Sequence, residues 1–249
     1  LSHNFILKTL EKFGFGNKFL TWIKILLYDI RSFVKVNGYE TSEFQVQRGV
    51  RQGCPLSPLL FVIVSEVLAL EIRKNRNIRG YLHNNTEFKI LQYADDLMTC
   101  VRDISSIGEI LKVFGRYERS TNAKLNKSKT EALWVGKWRN RLDNPYNLKW
   151  TKSNVKFLGV YVGSTASKPE RKALCNMNFS DIEAKMKSKL GYWAHSGLSV
   201  KGKIKVVNTF ILSKIFYRLE CVDITMELKL SIERNIRGFI WGDRIVGRV

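Results

Sequence analysis

Two adjacent carboxylates, Asp95 and Asp96, interrupt the otherwise apolar, strand-like run Ile90-Leu91-Gln92-Tyr93-Ala94-Asp95-Asp96-Leu97-Met98. Side chains along a strand alternate between faces, so neighbours share one side only where a tight turn breaks the alternation, here between residues 88–93 and 97–101. Aspartate suits such turns. Two acids held together repel each other, a cost that a divalent cation or another bound positive charge offsets. The expected chemistry is a metal site for phosphoryl transfer. The alternative is a polar turn carrying two solvated acids.

A second stretch with chemical character is Gln47-Arg48-Gly49-Val50-Arg51-Gln52-Gly53-Cys54-Pro55-Leu56-Ser57-Pro58. Its glycines let a backbone lie close against a ligand. A helix N-terminus flanked by Arg48 and Arg51 favours phosphate. Ser57 is the expected N-cap and Pro58 the expected first helical residue, which predicts a helix over 58–73. A capped helix following a loop, with no ligand, is the plainer reading of the same residues.

The elements that must position these residues follow from hydrophobic spacing. Residues 4–33 predict two helices broken at Gly14-Phe15-Gly16-Asn17, and 33–46 a hairpin closed around Asn37-Gly38. A further hairpin around Asn84-Asn85 leads into the aspartate stretch. Ile107, Ile110, Leu111, Phe114 and Tyr117 predict a helix over 104–124, after which 132–135 is strand-like. Residues 155–163 show a β pattern with glycine punctuation. The polar residues 164–169 are the expected boundary. Beyond them one amphipathic helix is expected from about residue 179, then two more at 201–217 and 225–239, as a small helical subdomain.

Composition narrows the partner. Across 249 residues, 42 Lys and Arg against 22 Asp and Glu give a net charge of +20. A polyanion is the simplest partner, because each neutralised phosphate releases counterions; anionic membranes are the other option. Trp134, Trp138 and Trp150 lie among basic residues, a mixture suited to single strands or a duplex end, or else to a basic loop with its tryptophans in the core. No apolar run is long enough to span a membrane. Four scattered cysteines without a CxxC pair indicate a reduced, intracellular protein. The chain opens on Leu rather than Met, so a fragment of a longer protein is expected.

Taken in order, Arg51-Gln52-Gly53-Cys54-Pro55-Leu56-Ser57-Pro58, Tyr93-Ala94-Asp95-Asp96, Leu125-Asn126 with Lys129-Thr130-Glu131, and Phe157-Leu158-Gly159 resemble the successive motifs of reverse transcriptases. The resemblance is to the polymerases of non-LTR (LINE-type) retrotransposons. Trp193, Leu198-Ser199-Val200-Lys201-Gly202-Lys203 and Phe239-Ile240-Trp241 resemble the segment following the palm in that family.

The resemblance implies an α+β fold: a right-hand polymerase palm (1–150) with a mainly antiparallel sheet backed by helices, a primer-grip hairpin and connector (151–172), and a small helical thumb-like subdomain (173–249). It implies an RNA-directed DNA polymerase acting by two-metal nucleotidyl transfer, with Mg²⁺ or Mn²⁺ as cofactor. RNA template, DNA primer and dNTP are the implied partners, with retrotransposon RNA and target DNA behind them, in the nucleus or cytoplasm and with no membrane. Asp95 and Asp96 would be catalytic metal ligands. Tyr93 would lie near the primer end, and Arg51, Gln52, Gly53 and Pro55 would shape the nucleotide and template pocket. Lys129 would be catalytic as well as substrate-binding, standing near the triphosphate as a general acid toward pyrophosphate, and Phe157, Leu158 and Gly159 would grip the primer.

One departure stands out. The family pattern includes a further metal-binding aspartate upstream, and Ser2-His3-Asn4 resembles the residues just after it. The aspartate and the fingers region are not among these residues, so an incomplete polymerase is expected. A second reading is a catalytically inactive, nucleic-acid-binding remnant. A maturase-like or telomerase-like relative would share the palm motifs but not the C-terminal tryptophan pattern. Thr121-Asn122-Ala123-Lys124 also replaces the Ser-Gly expected before Leu125-Asn126.

Overall fold

The computed structural model describes residues 1–242. The chain divides into two compact units, Leu1–Thr130 and Glu131–Val249.

In the first unit, α1 (His3–Lys12) and α2 (Asn17–Leu27) meet through a turn in which Gly14 takes a φ of +86°. Strand β1 (Arg31–Ser32) pairs antiparallel with β4 (Phe44–Gln45), outside the hairpin of β2 (Lys35–Val36) and β3 (Tyr39–Glu40). That hairpin closes as expected on Asn37-Gly38, both with positive φ, the pattern that matches strand twist. Helix α3 (Leu56–Lys74) starts two residues before the predicted Pro58. Pro55, with helical φ and ψ, opens it, and Ser57 is buried in its first turn without making a side-chain cap. Pro58 fits there because first-turn N–H groups have no intrahelical acceptor to lose.

Beyond α3, β5 (Tyr81–His83) and β6 (Thr86–Phe88) turn through Asn84-Asn85, both left-handed. Next come β7 (Ile90–Tyr93) and β8 (Asp96–Thr99). Helix α4 (Ile104–Thr121) is capped by the Asp103 carboxylate, which accepts from the Ser106 N–H at 2.8 Å, and it ends at left-handed Asn122. Two apolar clusters hold the unit. Ile6, Leu10 and Ile23 pack on Leu60 and Val64 of α3; Leu68 and Ile72 of α3 pack with Ile90 of β7 and with Ile110 and Val113 of α4. Each such side chain contributes roughly 1.5–3 kcal/mol by leaving water, so α3 serves as the common floor beneath the loop at its start and the hairpin across its later turns.

In the second unit, β9 (Glu131–Leu133) runs parallel to β10 (Lys149–Thr151). This pairing takes the chain from Glu131 onward into the second unit, ahead of both the predicted 150 limit and the predicted 164–169 boundary. Strands β11 (Asn154–Phe157) and β12 (Val160–Gly163) form an antiparallel hairpin. Helix α5 (Lys168–Ala194) begins well before residue 179, because Ser167 and Glu170 form a complete capping box with Pro169 in the first turn. The helical pattern over 201–217 resolves into α6 (Val200–Val206), a π turn (Val207–Leu212) and α7 (Ser213–Leu219). Then comes α8 (Met226–Trp241), capped by Thr225. Phe179, Ile182, Met186 and Leu190 of α5 form this unit's core with Ile211, Ile215, Ile232 and Phe239.

The architecture is α+β. Among the described residues the strands associate as six two-stranded pairs, five antiparallel and one parallel, rather than as one continuous sheet. No helix of the described residues is long and apolar enough to cross a membrane.

Candidate active site

The aspartates stand at the tip of the β7–β8 hairpin. Tyr93 pairs with Asp96, Gln92 with Leu97, Leu91 with Met98 and Ile90 with Thr99, which leaves Ala94 and Asp95 as a two-residue turn. Ala94 has a φ of +51° and Asp95 does not share that sign. A left-handed non-glycine residue costs about 1–2 kcal/mol, a strain retained at the residue immediately before the aspartates.

Cross-strand partners share a face. Ile90 and Leu97 turn toward the α3–α4 core. Leu91, Tyr93, Asp96 and Met98 therefore occupy the opposite face, where Tyr93 is 69% and Leu91 48% exposed. Asp95 and Asp96 are both exposed. Among the described residues neither carboxylate has an ion-pair or hydrogen-bond partner, although Glu66, Glu71, Glu87 and Asp103 of the same unit are all paired with basic side chains. The two acids are thus presented to solvent, adjacent and uncompensated.

Two residues outside the predicted set support this tip. The Gln92 amide donates to the Ala94 carbonyl at 3.4 Å, while its own Oε1 is buried with no partner. At the hairpin's base, buried Lys89 donates to the carbonyls of Arg73 (3.1 Å) and Asn75 (2.8 Å), satisfying the C-terminus of α3. Glu87 completes the arrangement by accepting from the Gly80 N–H at 2.8 Å and lying 3.4 Å from Lys89. The Gly80 N–H chiefly, helped by Lys89 and Arg102, holds the Glu87 carboxyl below its ordinary range against a partly opposing burial effect. In sequence, Lys89 registers only as one more basic residue in a basic chain.

The loop before α3 exposes Arg51, Gln52, Gly53 and Pro55. Gly53 takes a φ of +82°, a conformation that favours glycine. Arg51 is held by its Nη2, which donates to the Arg31 carbonyl at 2.7 Å. The N–H of Leu56 chiefly, with Ser57 and Arg51, holds the Cys54 thiol below its ordinary range, as a helix start does for an anion. Lys129 lies in a turn organised by Asn126, whose Oδ1 accepts from the Lys129 N–H (3.2 Å) and the Ser128 hydroxyl (2.7 Å). Its side chain is exposed. Among the described residues no hydrogen bond or ion pair joins Lys129 or the 51–55 loop to the aspartate turn.

In the second unit, Phe157 ends β11, and the hairpin turns through Leu158 (φ +48°) and Gly159 (φ +81°). The Tyr217 hydroxyl of α7 donates to the Leu158 carbonyl at 2.5 Å. Buried Asn178 of α5 accepts from the Tyr161 N–H (2.8 Å) and donates to the Tyr161 carbonyl (2.9 Å), completing the free edge of β12. The three tryptophans are half-buried, with Trp134 and Trp150 stacked at 3.9 Å and Arg141 lying 5.0 Å over Trp134 and 4.7 Å over Trp138.

A hard cation takes oxygen ligands, and exposed, unpartnered Asp95 and Asp96 fit two positions of an open shell. Among the described residues no group of three or more His, Cys, Asp or Glu side chains forms a metal cage. The pair is an open edge.

The family described as reverse transcriptase (RNA-dependent DNA polymerase) matches residues 1–162. Over 247 residues the chain is 28% identical to the transposon TX1 uncharacterized 149 kDa protein of Xenopus laevis, covering 97% of this chain and 18% of that protein. Over 250 residues it is 24% identical to a retrovirus-related Pol polyprotein from the type-1 retrotransposable element R2 of Popillia japonica, covering 95% of this chain and 39% of that protein. A 98-residue stretch, 39% of this chain and 9% of the relative, is 32% identical to the R2DM Pol polyprotein of Drosophila melanogaster. The chain therefore spans well under half the length of these relatives. It belongs to the reverse transcriptase family, and the proteins it is similar to are those of non-LTR retrotransposons.

Proposed function

We propose that this chain carries the catalytic palm of an RNA-directed DNA polymerase, which adds nucleotides to a primer 3′-hydroxyl on an RNA template. The observation that carries the proposal is the adjacent, exposed and unpartnered carboxylate pair at the β7–β8 tip, in a chain that belongs to this family. Asp95 is the principal metal ligand and Asp96 its partner, for Mg²⁺ or, in its place, Mn²⁺. When bound, the metal supplies charge stabilisation at the attacking 3′-oxygen and the leaving pyrophosphate.

The chain's own residues do the rest. Tyr93, on the open hairpin face beside Asp96, positions the primer end. Arg51, Gln52, Gly53 and Pro55 shape the pocket for dNTP and template, with Gly53 permitting close backbone approach. Lys129 brings a positive charge to the triphosphate, and Phe157-Leu158-Gly159 grips the primer. In this reading residues 1–150 are palm, 151–172 primer grip and connector, and 173–249 thumb, of which the last seven lie outside the described residues. The enzyme works on retrotransposon RNA and target DNA, in the nucleus or cytoplasm.

Primer extension on an RNA template with Mg²⁺ and dNTPs tests this, using the chain within its whole reading frame. Extension that collapses in Asp95→Asn supports the assignment. Full activity in Asp95→Asn would sink it. Salt-sensitive primer–template binding without any extension would identify a nucleic-acid-binding remnant instead.

A further inference from the structure

The second unit contains an open groove of about 440 Å³ between α5 and the run formed by the π turn and α7. Asp181, Lys185 and Lys189 recur every fourth residue, placing them in one stripe along α5. Phe210 of the π turn, with Lys214 and Arg218 of α7, lines the other side. Four basic side chains thus face one carboxylate. That carboxylate is already engaged: Asp181 accepts from Arg218 at 2.6 Å and from Lys185 at 3.4 Å. Arg218 also donates to the Asn178 carbonyl, so it and Asp181 serve the fold.

Lys189 and Lys214 are different. Neither has an acidic partner among the described residues; both line the groove, and Lys214 chiefly, with some burial, holds the Lys189 ammonium below its ordinary range. Two like charges brought together in a groove destabilise the empty protein. The Lys189 ammonium also lies 5.2 Å from the Phe210 ring centre, and Phe210 stacks on Trp193 at 6.2 Å, which restricts the Lys189 stem. The π turn, a helix irregularity often found at functional sites, runs directly into α7, whose second residue is Lys214. Gly159 of the β11–β12 turn closes the rim of the groove.

We propose that Lys189 and Lys214 form a phosphodiester seat, sharing one backbone phosphate of a nucleic-acid strand that runs along the α5–α7 groove. A single anion between the two ammonium groups converts their repulsion into two charge-assisted hydrogen bonds. The occupant is a nucleic-acid backbone because four basic side chains line the groove against a single, already engaged carboxylate, a balance that favours a polyanion. The inference rests on the polymerase reading only for the identity of the strand.

Fluorescence anisotropy on an RNA–DNA primer–template, measured over a series of salt concentrations, tests the seat in the full chain. Lys189→Ala with Lys214→Ala should weaken binding about tenfold at low salt and make the slope of log K against log salt shallower by about one. Because the two lysines share a phosphate, each single variant should lose nearly as much as the double variant. The charge-matched control Lys201→Ala with Lys229→Ala should stay within about twofold of the parent. Purely additive losses no larger than the control's would overturn the proposal.

Thermal melting of the free protein adds an independent readout. Lys214→Met should leave the midpoint unchanged or raise it by relieving repulsion; a lowered midpoint accompanying the binding loss counts against the seat. Titration with inorganic phosphate at matched ionic strength separates the sources. Tight phosphate uptake with unaltered primer–template affinity in the double variant would assign the groove to a small anion and overturn the proposal. Asp95-dependent extension that persists alongside unaltered binding in the double variant defeats the seat alone. Loss of primer–template binding by the parent chain defeats the polymerase reading.

Discussion

The β7–β8 and β11–β12 hairpins have the same construction: two four-residue antiparallel strands joined by a two-residue turn whose first residue is a left-handed non-glycine, Ala94 in one and Leu158 in the other. They differ in what holds the tip. The Leu158 carbonyl is bonded to the Tyr217 hydroxyl, and β12 is completed along its edge by Asn178, so the tertiary structure fixes that turn from outside. Among the described residues the aspartate turn receives only the 3.4 Å side-chain bond from its own Gln92, and its two carboxylates have no partner. Under the proposed reading, anchoring suits a hairpin that would keep its shape against a primer strand, and vacant acceptors suit one whose partners would arrive with the substrate.

The contrast can be broken most severely at Asp95. Asp95→Asn should lower primer extension by about a thousandfold or more, several kcal/mol of lost charge stabilisation. Its unfolding free energy should change by no more than about 0.5 kcal/mol, because an exposed, unpartnered acid contributes little to the fold. A large loss of stability in denaturant titration would show that the turn depends on this carboxylate, contrary to the description above.

The opposite behaviour is expected at Asn178. Asn178→Leu strands the Tyr161 N–H and carbonyl, with an expected loss of about 3 kcal/mol in denaturant unfolding. Hydrogen exchange should accelerate along β11–β12. A stability change below about 1 kcal/mol would mean that water replaces the amide and that the anchored hairpin is less anchored than its geometry indicates.

Ala94→Gly sharpens the comparison at smaller scale. Glycine relieves the left-handed strain, for a gain of about 0.5–1 kcal/mol after its greater unfolded-state entropy is set against it. If the strain positions the carboxylates, kcat for extension should fall while thermal stability rises. Equal or improved extension would leave the strain without a role in the reaction.

The smallest expected effect lies in the scaffold beneath the aspartate hairpin. Burial pushes the Tyr117 hydroxyl up to about 12, and it donates to the Val64 carbonyl at 3.3 Å. A phenol whose pKa is raised by folding favours the folded state fully below its unfolded value near 10. That contribution is lost as the pH rises from 10 through 12, where the unfolded chain ionises first. Tyr117→Phe should flatten the stability profile across that window, measured by denaturant titration at stepped pH. An unchanged slope would indicate that Tyr117 is already solvated.

Much of this was legible in the residues because its causes are local. Asn37-Gly38 and Asn84-Asn85 tolerate left-handed φ and so fix two hairpins. The Asp95-Asp96 interruption locates a third, and the 3.6-residue apolar period locates α4 and α8. The start of α5 is equally local, since Ser167 and Glu170 form a capping box ahead of the apolar period that begins at Phe179. The early start of α3 was harder to read, because Ser57 has the composition of a cap but is drawn into the buried first turn.

Other features have no local cause. The parallel pairing of β9 with β10 joins segments separated by a long loop, and it moves the unit boundary to Glu131. Lys89 looks like any surface lysine until the C-terminus of α3 is packed against it. The sequence by itself determined the chemistry available: which acids stand side by side, where glycine permits close approach, and how basic the chain is. Only the tertiary structure decided which of those charges are neutralised and which remain open. Pairing depends on side chains brought together from distant positions, and that information is absent from spacing along the chain.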